Sequence, residues 1–139
     1  MTATAAPTVY RCVVPGPPVP KARARVFVTK AGKIRAVTPQ RTRDAEEAIG
    51  WALKLAWRQE PDATSLFGVS CRFVLSRTKA GKERRVDGDN LWKAVGDAGN
   101  GVVWHDDSQI RKVDVTVDYG DEPRSEIEFW VLAKEEATC

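Results

Sequence analysis

Val113-Asp114-Val115-Thr116-Val117-Asp118-Tyr119, then Gly120-Asp121-Glu122-Pro123, then Arg124-Ser125-Glu126-Ile127-Glu128-Phe129-Trp130-Val131, is the stretch that decides the fold class. Val113, Val115, Val117 and Tyr119 alternate with Asp114, Thr116 and Asp118. Ile127, Phe129 and Val131 alternate with Glu126, Glu128 and Trp130. A period of two puts one row of side chains on a core and the other in water. The pattern predicts two strands of an antiparallel hairpin with one wet face, turning at residues 120–123, and both apolar sets in the core. Phe67, Val69, Cys71, Phe73 and Leu75 read as a further half-buried strand, and Thr8 to Val14 as another. Arg25 to Lys30 and Ile34 to Thr38 read as a hairpin around Ala31-Gly32-Lys33.

Two helices complete the set. About Thr42 to Glu60, Ala45, Ala48, Ile49, Ala52, Leu53 and Ala56 recur at helical spacing. A shorter helix runs from Asp89 to Ala98, with Leu91, Ala94, Val95 and Ala98 inward. Pro15-Gly16-Pro17-Pro18-Val19-Pro20 reads as an extended loop, because proline lacks the amide donor that a helix or central strand needs. The expected fold is α+β, a single domain over residues 8–134 with a mixed or antiparallel sheet and two helices packed on it. Residues 1–7 and 135–139 read as flexible tails.

The chain has 139 residues, 42% apolar and 29% charged, with five tryptophans, a composition that suits one globular domain. No stretch approaches the roughly 20 apolar residues that span a bilayer. The start lacks a signal peptide's basic and apolar runs, so the expected location is cytoplasmic. Cys12, Cys71 and Cys139 are far apart and form no zinc-type pair. Cys71 reads as a small core residue. The net charge is +3, unevenly spread: +9 over residues 1–43, +2 over 44–85 and −8 over 86–139. A basic half beside an acidic half suggests a polyanion partner next to a carboxylate cluster.

The chemistry-bearing stretch is Val86 to Ile110, V-D-G-D-N-L-W-K-A-V-G-D-A-G-N-G-V-V-W-H-D-D-S-Q-I. Asp87 and Asp89 open the short helix. Asp89, Lys93 and Asp97 are four residues apart and share one face. Asp106 and Asp107 follow a glycine-containing turn. Carboxylates that converge repel one another, and a magnesium ion, which takes oxygen ligands, resolves the conflict. The same residues also read as an ordinary helix N-cap and an exposed ion-pair ladder. An EF-hand is excluded, because Leu91 stands where an oxygen ligand is required. His105, the only histidine, sits beside the double acid, where it could donate a proton or serve structure alone.

The string D-x-D-N-x-x-K-x-x-x-D, followed by N-G-V-V-x-x-D-D-x-Q-I over Asp87 to Ile110, resembles the RusA-type endodeoxyribonucleases, the Holliday junction resolvases of bacteria and prophages. Val14-Pro15-Gly16-Pro17-Pro18, Lys21-Ala22-Arg23-Ala24-Arg25 and Thr38-Pro39 before a helix resemble that family's opening. The resemblance implies a homodimer that nicks two opposed strands of a four-way DNA junction with Mg²⁺ or Mn²⁺, in recombination and repair. It implies Asp87, Asp89 and Asp107 as catalytic metal ligands, with Asp106 a weaker one, and Lys93 as the catalytic lysine. Asn90 and Asp97 match supporting positions. The chain departs from the family at Gly99, where a larger apolar residue is usual. Gly96 weakens the same helix, and Gly88 loosens the acid pair. The departures put the site's rigidity in doubt, or else permit close backbone packing.

Lys21, Arg23, Arg25, Lys79, Lys82, Arg84 and Arg85 are the expected DNA contacts. The segment Arg77–Arg85 reads as a mobile basic loop that leads into Asp87. Trp51, Trp57, Trp92 and Trp104 read as core or dimer interface. Two rival readings are a non-catalytic junction-binding protein with a vestigial acidic site, and a structural or assembly protein. Bacterial and phage origins are both compatible with these features.

Overall fold

The computed structural model describes residues 7–21, 25–37, 39–83 and 85–133. Arg23, Arg84, Cys139 and almost all of both expected tails lie outside the described residues. In chain order the elements are β1 (Tyr10–Pro15), β2 (Arg25–Val28), β3 (Ile34–Val37), α1 (Gln40–Trp57), β4 (Phe67–Leu75), α2 (Gly88–Ala98), a single 3-10 turn (Asp107–Gln109), β5 (Ile110–Tyr119) and β6 (Arg124–Val131). This is an α+β fold with a four-stranded sheet in the order β1-β6-β4-β5 and a separate β2–β3 ribbon.

The sheet is mixed, and its order corrects the expected hairpin. β5 and β6 do not pair with each other. β4 lies between them, antiparallel to β6 and parallel to β5. Alternation identifies a half-covered strand but not its neighbour. The four-residue link 120–123 is long enough to step across the end of β4, where the Gly120 N–H donates to the Leu75 carbonyl at 2.9 Å. β4 takes the centre because its row Phe67, Val69, Cys71, Phe73 and Leu75 is wholly buried. β5 is left at the edge. Val113 on that edge strand is 43% exposed, and Val131, at the end of β6 beyond its pairing with β1, is 37% exposed; neither is core as expected, whereas Ile127 and Phe129 are buried. β1 occupies the opposite edge, where Pro15 forfeits no ladder bond.

Both helices contribute to one core, with Ile49, Leu53 and Trp57 from α1 and Leu91, Ala94 and Val95 from α2. The expected stripe on α1 is buried at Ile49 and Leu53 and partly buried at Ala45, Ala52 and Ala56, but it is shifted at its margin: Ala48 is exposed while Thr42 and Trp57 are buried. A tryptophan buries far more apolar area than an alanine and sets the helix's rotation. Trp57 is 5% exposed and packs edge-on against Tyr10 and Phe67, so it belongs to the core and not to a dimer surface. Cys71 is buried as expected. Burial pushes its thiol up to about 12 and that of Cys12 to about 11.

The far face of the sheet is charged. Arg72 pairs with Asp118 and Glu126, Arg124 with Glu126, and Arg11 with Glu128. Much of the acidic half of the chain is thus the solvated face of a sheet and not a carboxylate cluster.

Trp104 is fully buried, packs edge-on against Phe67 and Phe129, and donates from Nε1 to the Gly96 carbonyl at 3.0 Å. Its ring lies where a Cβ on residue 99 would stand, so the two would overlap. The glycine at the family-divergent position is therefore a packing requirement. Gly99→Ala is expected to cost about 1–3 kcal/mol through overpacking. A thermal melt should show a fall of roughly 3–10 °C, and an unchanged midpoint would refute this packing account.

Candidate functional site

α2 begins at Gly88 because Asp87 caps it. The Asp87 carboxylate accepts from the Asp89 N–H at 3.0 Å and from Asn90 Nδ2 at 3.3 Å. The cap is thus real, and it leaves Asp89 as the acid of the first helical turn, where the helix dipole favours a negative charge. Asp89 and Lys93 are both exposed along one side of α2. Among the described residues no ion pair joins Lys93 to Asp89 or Asp97, so the expected ladder does not form.

Asp97 pairs instead with Lys21, whose ammonium also lies 3.2 Å from Glu46 Oε1 on α1. That oxygen is out of line for a hydrogen bond and has no other polar partner, so its attraction to Lys21 is one of charge. The Lys21 N–H donates to the Asn90 carbonyl at 3.0 Å. Partial burial alone would lower the Lys21 ammonium, but Asp97 and Glu46 outweigh it and the net shift is upward. Lys21 was expected to touch DNA; its side chain is held between the two helices. It thereby anchors the proline strap beside Asn90.

The second acid pair is carried by the turn after Trp104. Asp106 caps it by accepting from the Ser108 N–H at 3.0 Å, and the Ser108 side chain together with that N–H holds its carboxyl below the usual range. Gln109 completes a capping box, accepting from the His105 and Asp106 N–H groups at 2.8 and 2.9 Å. The Gln109 amide also donates to the carbonyls of Asp62 and Ser65, at 2.6 and 2.9 Å. The Asp62 carboxylate accepts from the N–H groups of Thr64 and Ser65, and bonding in the Ser65 turn lowers its pKa. Gln109 therefore ties the acid turn to the loop after α1. Its role was missed in the sequence, although Asp106-x-x-Gln109 is a capping-box signature. His105 is exposed, and its backbone N–H is engaged by Asp62 and Gln109.

Asp107 is exposed and lies against α2. Its Cβ is 3.7 Å from where a Cβ on Gly96 would be, beside the face that carries Asp89 and Lys93. The fold thus brings the two motifs, eighteen residues apart at Asp89 and Asp107, to neighbouring surfaces. It does not gather them into one cluster: among the described residues no three His, Cys, Asp or Glu side chains stand close enough to hold a metal ion. The donors are all carboxylate oxygens, a set suited by its chemistry to a hard divalent cation.

The basic segment after β4 is an organised turn around Gly81, with the Thr78 N–H donating to the Lys82 carbonyl and the Gly81 N–H to the Thr78 carbonyl, each at 2.8 Å. Lys79, Lys82 and Arg85 are exposed on it. Arg25 starts β2. Arg41, a further arginine overlooked in the sequence, lies in the first turn of α1. Its signal is a helix start with basic residues and no acid, contrary to the dipole's preference.

The family model described as endodeoxyribonuclease RusA matches residues 15–129, which contain both acid motifs, α1, α2 and the proline strap. The chain belongs to the RusA endodeoxyribonuclease family. Membership implies a nuclease of the Holliday junction resolvase kind. No curated protein matches the chain in sequence. Among the described residues, no helix of this RusA-family chain is long and apolar enough to cross a membrane.

The brace on the acid turn can be tested directly. Gln109→Leu keeps the side chain's bulk but strips partners from two N–H groups and two carbonyls. The expected loss is about 1–3 kcal/mol of stability, read by denaturant unfolding. A variant as stable as the parent would show that the turn holds without Gln109.

Proposed function

We propose that this protein is a magnesium-dependent, structure-selective endodeoxyribonuclease that resolves four-way DNA junctions by paired symmetric nicks, in recombination and repair. The observation that carries the reading is the family match across residues 15–129, which includes D-G-D-N-L-W-K and D-D-S-Q-I in order. The placement of Asp107 against the helix that bears Asp89 and Lys93 supports it. Asp87, Asp89 and Asp107 would hold the cation, with Asp106 at the margin. Mn²⁺ shares the preference for oxygen ligands and is the alternative ion.

When bound, such an ion polarises the phosphodiester and lowers the pKa of an attacking water. The chain's own groups supply the rest. Lys93, with no acidic partner among the described residues, offers its ammonium to the charge that builds on the attacked phosphate. Asn90 and the Asp87 cap fix the start of α2, and Asp97 through Lys21 fixes the strap. Arg23, Arg25, Lys79, Lys82, Arg84 and Arg85 would hold flanking phosphates, making binding strongly salt-dependent. The setting is the cytoplasm of a bacterium or of a phage's bacterial host.

The decisive experiment is cleavage of a synthetic four-way junction by the wild type and Asp89→Asn, with and without Mg²⁺. Metal-dependent paired nicks are expected, lost by at least about a hundredfold in the variant while junction binding persists. Binding by the wild type with no nicks under Mg²⁺ or Mn²⁺ would instead establish a non-catalytic junction-binding protein.

A two-fold dimer would present two equivalent sites to two equivalent strands. On the outer side of α1, Trp51 is 59% and Leu55 67% exposed, while Val13 on the edge strand β1 is 57% exposed. This surface is the favoured contact between copies. Sedimentation should give a wild-type dimer and a monomer for Trp51→Glu. A wild-type monomer, or a dimer indifferent to this change, would sink the assignment.

A further inference from the structure

A cleft of about 490 Å³ opens between the proline strap and the residues that lead into Asp87. Its lining includes Pro17, Pro18 and Pro20 of the strap together with Arg41, Arg85 and Val86. Arg41 comes from the first turn of α1 and Arg85 from the basic turn after β4, more than forty residues apart in sequence. Among the described residues neither guanidinium has an acidic partner. Two uncompensated guanidinium groups lining one cavity repel each other, and an anion between them removes the repulsion. The strap contributes proline rings to the same lining, apolar and without amide donors, which suits the flat apolar side of a sugar or base. The volume falls within the range of small-ligand sites. Val86 immediately precedes Asp87, so whatever fills the cleft adjoins the proposed cleavage centre.

We propose that this cleft is a nucleotide subsite that holds one phosphodiester of the DNA strand next to the cut, its phosphate between Arg41 and Arg85 and its sugar against the prolines. The assignment rests on the DNA-cleaving reading above. It makes Arg41 a binding residue and gives the strap a function beyond linking β1 to the ribbon. The strap's position depends on the Lys21 contacts with Asp97, Glu46 and Asn90, so those contacts set the cleft's width.

The test measures binding of full-length protein to a synthetic four-way junction, without divalent metal, as a function of salt. A second series carries single neutral methylphosphonates at each backbone position near the cut. Arg41→Ala should weaken binding about tenfold and reduce the slope of log affinity against log salt by about 0.9. One methylphosphonate should weaken the wild type comparably and cost Arg41→Ala nothing further. Arg85→Ala should lose sensitivity at that same phosphate. An unchanged slope and affinity in Arg41→Ala would overturn the subsite, as would the two variants losing sensitivity at different phosphates. Arg41 is exposed, and a melt checks that the variant folds; if it does not, Arg41→Lys, which keeps the charge but not the fork, should retain the slope and bind with intermediate affinity, and wild-type affinity would overturn the subsite. Failure of the wild type to bind any junction would overturn the DNA-cleaving reading and the subsite together.

Discussion

The buried indole of Trp104 is the contact on which the site's geometry depends. Its ring fills the notch left by Gly99 and packs on Phe67 and Phe129, while its N–H reaches the Gly96 carbonyl. One side chain thus joins the C-terminal half of α2 to the sheet and to the segment that carries Asp106 and Asp107. The backbone repeats the tie, since Gly101 donates to the Trp104 carbonyl and Asp62 to that of Val103, both at 2.8 Å. Interiors are close-packed and resist small displacements. The two acid motifs are consequently held at a fixed offset by apolar packing and not by contact between the acids, which as like charges would push apart.

Much of this was legible in the sequence, and the gaps have physical causes. The alternating rows of β4, β5 and β6 gave away strands, and the inward positions Leu91, Ala94 and Val95 gave away α2. Strand order was not legible, because alternation reports one strand's two faces and carries nothing about its neighbours. On α1 the expected stripe holds at Ile49 and Leu53, which are buried, and fails at Ala48, which is exposed while Trp57, read as core or dimer interface, is buried, because burial energy scales with area. In the site, spacing alone left the acids readable as caps and an ion-pair ladder, and it was the resemblance to the family's motif that singled them out. The partner of Asp97 was not legible, because Lys21 is seventy-six residues away and meets it only through the fold.

The charge asymmetry also divides into unlike parts. On the sheet's wet face, acids and arginines interleave in pairs such as Arg72 with Asp118 and Glu126. Exposed pairs of that kind contribute little to stability, typically below about 1 kcal/mol each, and keep the face soluble. The site's acids are not compensated in this way. Lys93, Arg41 and Arg85 likewise lack acidic partners among the described residues. The two kinds of surface therefore differ: the sheet's wet face interleaves opposite charges, whereas the exposed side of α2 carries Asp89 and Lys93 without ion-pair partners among the described residues.

A common construction underlies the two acid motifs. In each, one aspartate is an N-cap and the next acid stands in the first turn: Asp87 before Asp89 on α2, and Asp106 before Asp107 on the 3-10 turn. A cap carboxylate is fixed by backbone N–H groups, which offset its charge and orient the turn that follows. Among the described residues, Asp89 and Asp107 have no such partners, so their oxygens stay available. The capping acids therefore position their neighbours and keep lone pairs of their own to offer, while the first-turn acids are wholly free to act on what binds. This division explains why reading these residues as ordinary caps and reading them as a metal site are not in competition. The cap supplies the rigidity that Gly88 and Gly96 would otherwise take from the site, and a charge held at a helix N-terminus is a charge already aimed outward.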